Sequence, residues 1–243
     1  MAEKRRNLGR GLSALLGEDT SPAQAGGARQ IAIEKLHPGR YQPLTDDFSN
    51  YINAFKEAGA EIVTGNMIPP DFATFWAQAA QQGFNPKVVT IGKALLFPSV
   101  IESLGERGDG LSSEVWWSPN HPFASSLDGS SAKDLAEGYT AASNRPWTQP
   151  IGFKHALFEV VADVARRTDD LEDPEAIVAA IQGTNLDTIV GNVNWANGPI
   201  NNVTKTPLVA GQWQKDGDAF DLKIVANSAA SNIPLTGDLK FLA

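Results

Sequence analysis

DFSNYINAFKEAGAEIVTGNMIPPDFATFWAQAAQQGFNPKVVTIGKALLFPSVIESLGERGDGLSSEVWWS, residues 47–118, decides the fold class, because it alternates helical and strand patterns three times. Phe48, Tyr51, Ile52 and Phe55 recur at i, i+3, i+4 and i+7, which predicts an amphipathic helix ending at Gly59. EIVTG (61–65) follows as a short β-branched run. A second helix opens at Pro70-Asp71, places Phe72, Phe75, Trp76, Ala79 and Ala80 on one face, and stops at Gly83. KVVTI (87–91), a shorter helix over 98–104 and SEVWW (113–117) complete the alternation. Short strands between amphipathic helices predict an α/β fold, with a parallel sheet flanked by helices on both faces. Ligands of such sheets bind beyond the carboxyl ends of the strands. Here those ends are Gly65–Pro69, Gly92–Leu95 and Ser118–Asn120. Each is an ordinary turn taken alone; three at one edge predict a cleft.

Composition bounds the rest. The chain has 243 residues, no cysteine and a net charge of −8, and no apolar run approaches a membrane span. Disulfide and thiolate chemistry are excluded. Charge is uneven: residues 1–40 carry seven Lys/Arg against four Asp/Glu, and residues 41–243 carry 13 against 24. An acidic body is poorly suited to nucleic acid. The start has basic residues without an apolar stretch behind them, so no secretory signal is read there, and the chain as written is expected in the cytoplasm.

Residues 1–18 pattern as a basic tag leading into Leu8, Leu12, Leu15 and Leu16; residues 19–29 have the composition of a flexible linker, so the amino-terminal segment is expected to be mostly disordered. Ile31–Leu36 alternates like a strand before the turn at Pro38-Gly39. Beyond the central stretch, Gly152–Arg167 predicts a helix with Phe153, Ala156, Leu157, Val160, Val161 and Val164 on its core side. Asp173-Pro174 caps another, ending at Gly183. TIVGNVNW, TPLVAGQW and FDLKIVAN predict an antiparallel edge, and the tail from Ser228 is expected on the surface.

Two resemblances divide the chain. Arg6-Asn7-Leu8-Gly9-Arg10-Gly11-Leu12-Ser13-Ala14-Leu15-Leu16, with Ile31–Leu36 and Tyr41-Gln42-Pro43, is similar to the start of ParB-type chromosome-partitioning proteins. That family's opening motif engages a ParA-type ATPase, and the resemblance implies Arg10 as the contact, a guanidinium suited to charge on a transferring phosphoryl group. After Gln42-Pro43 the family continues with arginine, whereas this chain has Leu44 and diverges. From there to the end it resembles the second lobe and return crossing of type I periplasmic binding proteins, the solute receptors of branched-chain amino acid ABC importers. The reading is therefore a fusion: residues 1–43 ParB-like, residues 44–243 an incomplete two-lobe binding protein truncated on its amino-terminal side. It implies a non-enzymatic binder of an amino acid or related carboxylate or amide, an ABC permease as partner, and weak or absent binding by the truncated form, with an exposed apolar sheet face prone to self-association. The alternative is an interaction protein whose residues 1–18 regulate a ParA-type ATPase.

Carried over by position, the family's binding region falls on Met67 and Ile68, on Lys93 and on Phe153. Asn66, in the first loop, and Trp117, the tryptophan nearer the end of its strand, join them. Relatives that bind α-amino acids place an acid after the second strand; this loop offers Lys93 instead, which favours a carboxylate or amide ligand. No P-loop, GxGxxG, HExxH, GxSxG or paired CxxC is present. His37, His121 and His155 lack metal-ligand spacing, so neither a metal nor a cofactor is expected. Asp216, Asp218 and Asp221 read as a hairpin turn rather than a calcium loop. Asn202-Val203-Thr204 matches a glycosylation pattern, which matters only in a secretory context.

Overall fold

Strands β1 (Ile62–Met67), β2 (Val88–Lys93) and β3 (Ser112–Val115) lie side by side and parallel in the computed structural model, which describes residues 41–242. The Arg10 motif, the tag over 1–18, His37 and the strand expected at Ile31–Leu36 lie outside those residues. Helix α1 (Ser49–Glu57) precedes β1, α2 (Pro69–Gln81) joins β1 to β2, and α3 (Pro98–Ser103) lies between β2 and β3. The period-two pattern sends Val63 and Met67, Val89 and Ile91, and Leu111 and Val115 to one face. There they meet Ile52, Phe72, Phe75, Trp76, Ala79 and Ile101 in one core. Phe72 and Trp76 stack at 6.2 Å and 16°. The helical stripes are those the sequence predicts, except that Ala80 is exposed. β1 and β2 run two residues past their expected ends because Asn66 and Met67 keep their places opposite Gly92 and Lys93.

β6 (Val209–Asp216) and β7 (Ala219–Ala226) extend the sheet in the order β1-β2-β3-β6-β7, β6 antiparallel to β3 and β7 antiparallel to β6, turning at Gly217 (φ 62°) as the hairpin reading of Asp216 and Asp218 requires. Two expectations fail here. TIVGNVNW does not join this edge: β4 (Asn185–Thr188) and β5 (Gly191–Asn194) pair only with each other. The tail is not merely superficial, since Ile233 is fully buried and Thr236 exchanges hydrogen bonds with the backbone of Ile224. The sheet is also not covered on both faces. Ile62, Thr64 and Asn66 are exposed and Thr90, Gly92 and Glu114 half-buried on the side away from α1–α3. That open face carries hydroxyls, an amide and a carboxylate beside Ile62 and Val88, so it is mixed rather than apolar.

Residues 116–207 leave the sheet and form a smaller helical region with α4 (Ala132–Ser143), α5 (Gln149–Arg167), α6 (Pro174–Gln182) and the β4–β5 hairpin. The joint is Gln149, wholly buried: its side-chain oxygen accepts from the Trp116 N–H (2.9 Å) and its amide donates to the Glu114 carbonyl (3.0 Å), which ends β3 at Val115. Trp117 is buried against Gly152 of α5, where an added Cβ would lie 2.3 Å from the indole. Ser131 and Asp134 form a capping box on α4, and Asp173 caps α6 as predicted. The faces of α5 match expectation only in part: Ala156 and Val164 are buried as expected, Leu157 and Val161 are not. Gly152, Ala156, Glu159 and Val164 point inward, and Leu157, Phe158 and Val161 are 55–63% exposed.

Candidate functional site

An open groove of about 510 Å³ lies over the carboxyl-terminal halves of the parallel strands. Thr64, Gly65 and Asn66 of β1, Thr90 and Gly92 of β2, and Ser113 and Glu114 of β3 form one side. Leu208–Ala210, Ala226, Ser228 and Ala229 form the other, where the chain returns from the helical region and later leaves β7. Its volume falls in the ordinary range for small-molecule sites.

Glu114 is the one charged side chain lining the groove. Register places it there: Thr90 stands opposite Ser112, so Gly92 stands level with Glu114. A Cβ on Gly92 would lie 3.0 Å from one carboxylate oxygen and 3.2 Å from the other, so glycine is what lets the carboxylate settle over β2. The carboxylate shares the Ser113 hydroxyl proton (3.1 Å) with the Ile91 carbonyl (3.1 Å) and accepts, at 3.4 Å, from the Lys93 N–H. Lys93 holds φ at 63°, a left-handed conformation rare for a side-chain-bearing residue, and ends β2 there. The first loop is braced from behind. The Ile68 N–H donates to the Tyr41 hydroxyl (3.3 Å), and Asp71, buried at the start of α2, accepts from the Leu44 N–H (3.0 Å). Burial holds the Tyr41 phenol above its ordinary pKa.

Of the residues expected around a ligand, Asn66 lines this groove. Met67 does not, because alternation along β1 turns it into the core. Ile68 is half-buried beside Tyr41, and Lys93 is exposed at the end of β2 but outside the groove wall. Trp117 is the core tryptophan and faces no cleft; Trp116 is the half-buried one, edge-on to Phe153 at 5.5 Å and 75°. The third loop does not line the groove either. Ser118 folds onto His121, its N–H donating to Nδ1 at 3.0 Å, and burial lowers the pKa of that imidazole to about 4. Residues 208–210 and 226–229 take the loop's place. The sequence reading missed Thr64, Thr90 and Glu114. Alternation in SEVWW did place Glu114 opposite Ser113 and Val115 in facing, so a signal was present.

Glu114 also changes the ligand argument. The second loop carries no acid, but the neighbouring strand delivers one beside it, so the absence of an acid from that loop no longer favours a carboxylate ligand. Among the described residues no three His, Asp or Glu side chains gather as a metal site, and no helix is long and apolar enough to cross a membrane.

Comparison with known proteins fits this geometry. A family profile described as periplasmic binding protein matches residues 17–218. The fold is similar to a leucine binding protein from Thermotoga maritima (TM-score 0.60, 20% identity, 77% of this chain and 51% of that one). It is similar to the same degree to an ABC transporter solute binding protein of R. palustris in complex with 4-hydroxybenzoate (TM-score 0.60, 16% identity, 77% and 50%). The chain is also similar to the chromosome-partitioning protein ParB of Caulobacter vibrioides, 46% identical over a 69-residue alignment that covers 24% of this chain and 23% of that protein. It thus spans about half the length of these binding proteins and under a quarter of ParB.

Proposed function

The chain belongs to the periplasmic binding protein family, and from that premise we propose that it binds a small organic solute in the groove over β1–β3, in the manner of an ABC importer's receptor. The observation that carries this is the convergence of Asn66, Thr64, Thr90 and Glu114 at the carboxyl ends of parallel strands, where sheets of this kind receive ligands. The family profile and the structural relatives are described as binding proteins, which favours a binder over an enzyme. Leucine and 4-hydroxybenzoate, named for two structural relatives, set the size range. An ABC permease is the partner this role requires. The chain spans half its relatives' length and the groove is open to solvent, so binding is expected to be weak. Amide NMR of the ¹⁵N-labelled protein, titrated with amino acids, amines and carboxylic acids to millimolar concentration, tests it. Shifts confined to Asn66, Gly92 and their neighbours support the reading, and an unchanged spectrum with every solute removes it.

A second reading rests on the ParB similarity: a peptide of residues 1–18 that stimulates a ParA-type ATPase through Arg10. A peptide of residues 1–20 is expected to raise ATP turnover and its Arg10→Ala version is not; equal turnover with both sinks this reading.

A further inference from the structure

We infer that Glu114 makes the groove selective for a solute bearing a cationic nitrogen and no carboxylate, an aliphatic amine rather than an amino acid. The inference rests on the groove being a solute site. Glu114 is half-buried, and among the described residues it takes part in none of the ion pairs, which join Lys87 to Glu61, Lys133 to Glu137, Arg167 to Asp163, Lys215 to Glu106 and Lys223 to Asp221. An ionised carboxylate offers about four acceptor positions. Two are used, by the Ser113 hydroxyl and by the long contact from the Lys93 N–H, and the carboxylate borders open space. A partly desolvated carboxylate without a counter-ion gains most from a charged donor, since hydrogen bonds with an ionised partner are about twice as strong as neutral ones.

The rest of the lining says what else the solute carries. No Lys, Arg or His lines the groove, so a solute carboxylate would find no cation there and would meet Glu114 as a like charge. Thr64, Thr90, Asn66 and Ser228 offer neutral hydrogen bonds, while Leu208, Val209 and the three alanines give an aliphatic wall. The acidic balance over residues 41–243, 13 Lys/Arg against 24 Asp/Glu, adds a field that draws cations to the surface.

Three probes that share an isobutyl group separate the possibilities: 3-methylbutylamine, leucine and 3-methylbutanoate, each titrated into the full chain and followed by amide shifts at Gly92 and Asn66. The amine is expected to bind most tightly, leucine at least several-fold more weakly, and the butanoate not at all. Glu114→Gln is expected to weaken the amine about tenfold or more, and Glu61→Gln, which removes the same charge at a site outside the groove, to leave it unchanged. Butanoate or leucine binding more tightly than the amine overturns the inference but leaves the groove a solute site. No response to any probe overturns both. The ranking on the unaltered chain decides the matter even if Glu114→Gln fails to fold.

Discussion

The sheet region, residues 47–115 with 208–242, and the helical region, residues 116–207, are built from similar amphipathic elements and pack to different degrees. In the first, the large apolar side chains of α1–α3 and the strands share one core. In the second, the core is Trp117, Ile189, Val190 and three alanines, while Leu157, Phe158 and Val161 face solvent and the buried side of α5 holds a carboxylate. Glu159 is satisfied there by the Ser126 N–H and hydroxyl and by the Ile189 N–H, so it ties two loops to α5 instead of adding apolar burial. The difference teaches that the helical region has helices with only the two-stranded β4–β5 hairpin to cover. Gln149 and the return of the chain through β6 hold it to a sheet that is itself complete on one face.

The largest expected effect lies in the sheet region. Phe72 is fully buried between Phe75 and Trp76. Phe72→Ala should cost about 3–5 kcal/mol, the range for emptying an aromatic site in a packed core. Urea unfolding followed by tryptophan fluorescence checks it. A loss under about 1 kcal/mol would mean that this core is no better packed than the helical one, and the contrast would vanish.

A second effect falls on the crossing between the regions and depends on pH. His121 is neutral in the folded chain because burial lowers its pKa from 6.5 to about 4. Above pH 6.5 the folded and unfolded states are both neutral there, and stability is full. As pH falls from 6.5 towards 4 the unfolded chain takes up a proton that the folded chain refuses, so stability is lost; below about 4 both are protonated and the loss levels off. Between pH 7 and pH 5 the cost is about 2 kcal/mol. Asp47, Asp128 and Asp134, held below their ordinary values by local hydrogen bonds, do not titrate in that window. His121→Gln should flatten the urea midpoint between these two pH values; an unchanged slope would place the titrating group elsewhere.

How much of this was legible follows the same division. In the sheet region one apolar stripe per helix and one per strand leave a single way to fold, and α1–α3 and β1–β3 form in the predicted order, with β1 and β2 running two residues longer and β3 ending at Val115 rather than Trp117. On α5 the sequence offers two apolar stripes, one large and one small. The expected stripe holds for Ala156 and Val164 but not for Leu157 and Val161, because Gly152, outside that stripe, is the residue that fits against Trp117. Helix α4 went unread although Ser131 and Asp134 spell a capping box, because its alanine-rich turns carry no strong stripe. Glu114 needed two facts, its facing and its register; alternation gave the first, and only the pairing of Thr90 with Ser112 gives the second.

The smallest effect on stability is the sharpest test of the contrast. Phe158 is 63% exposed on the outer stripe of α5, flanked by Leu157 and Val161. Serine and phenylalanine have similar helix propensities, and an exposed side chain away from caps and cores contributes little to folding. Phe158→Ser is therefore expected to change stability by no more than about 0.5 kcal/mol. The stripe still matters to solubility, since adjoining exposed apolar side chains favour association. Sedimentation velocity over a range of concentrations should show the unaltered chain self-associating and Phe158→Ser doing so less. If the substitution instead cost 2 kcal/mol or more, α5 would be packed as tightly as α2, and the helical region would not be the open one.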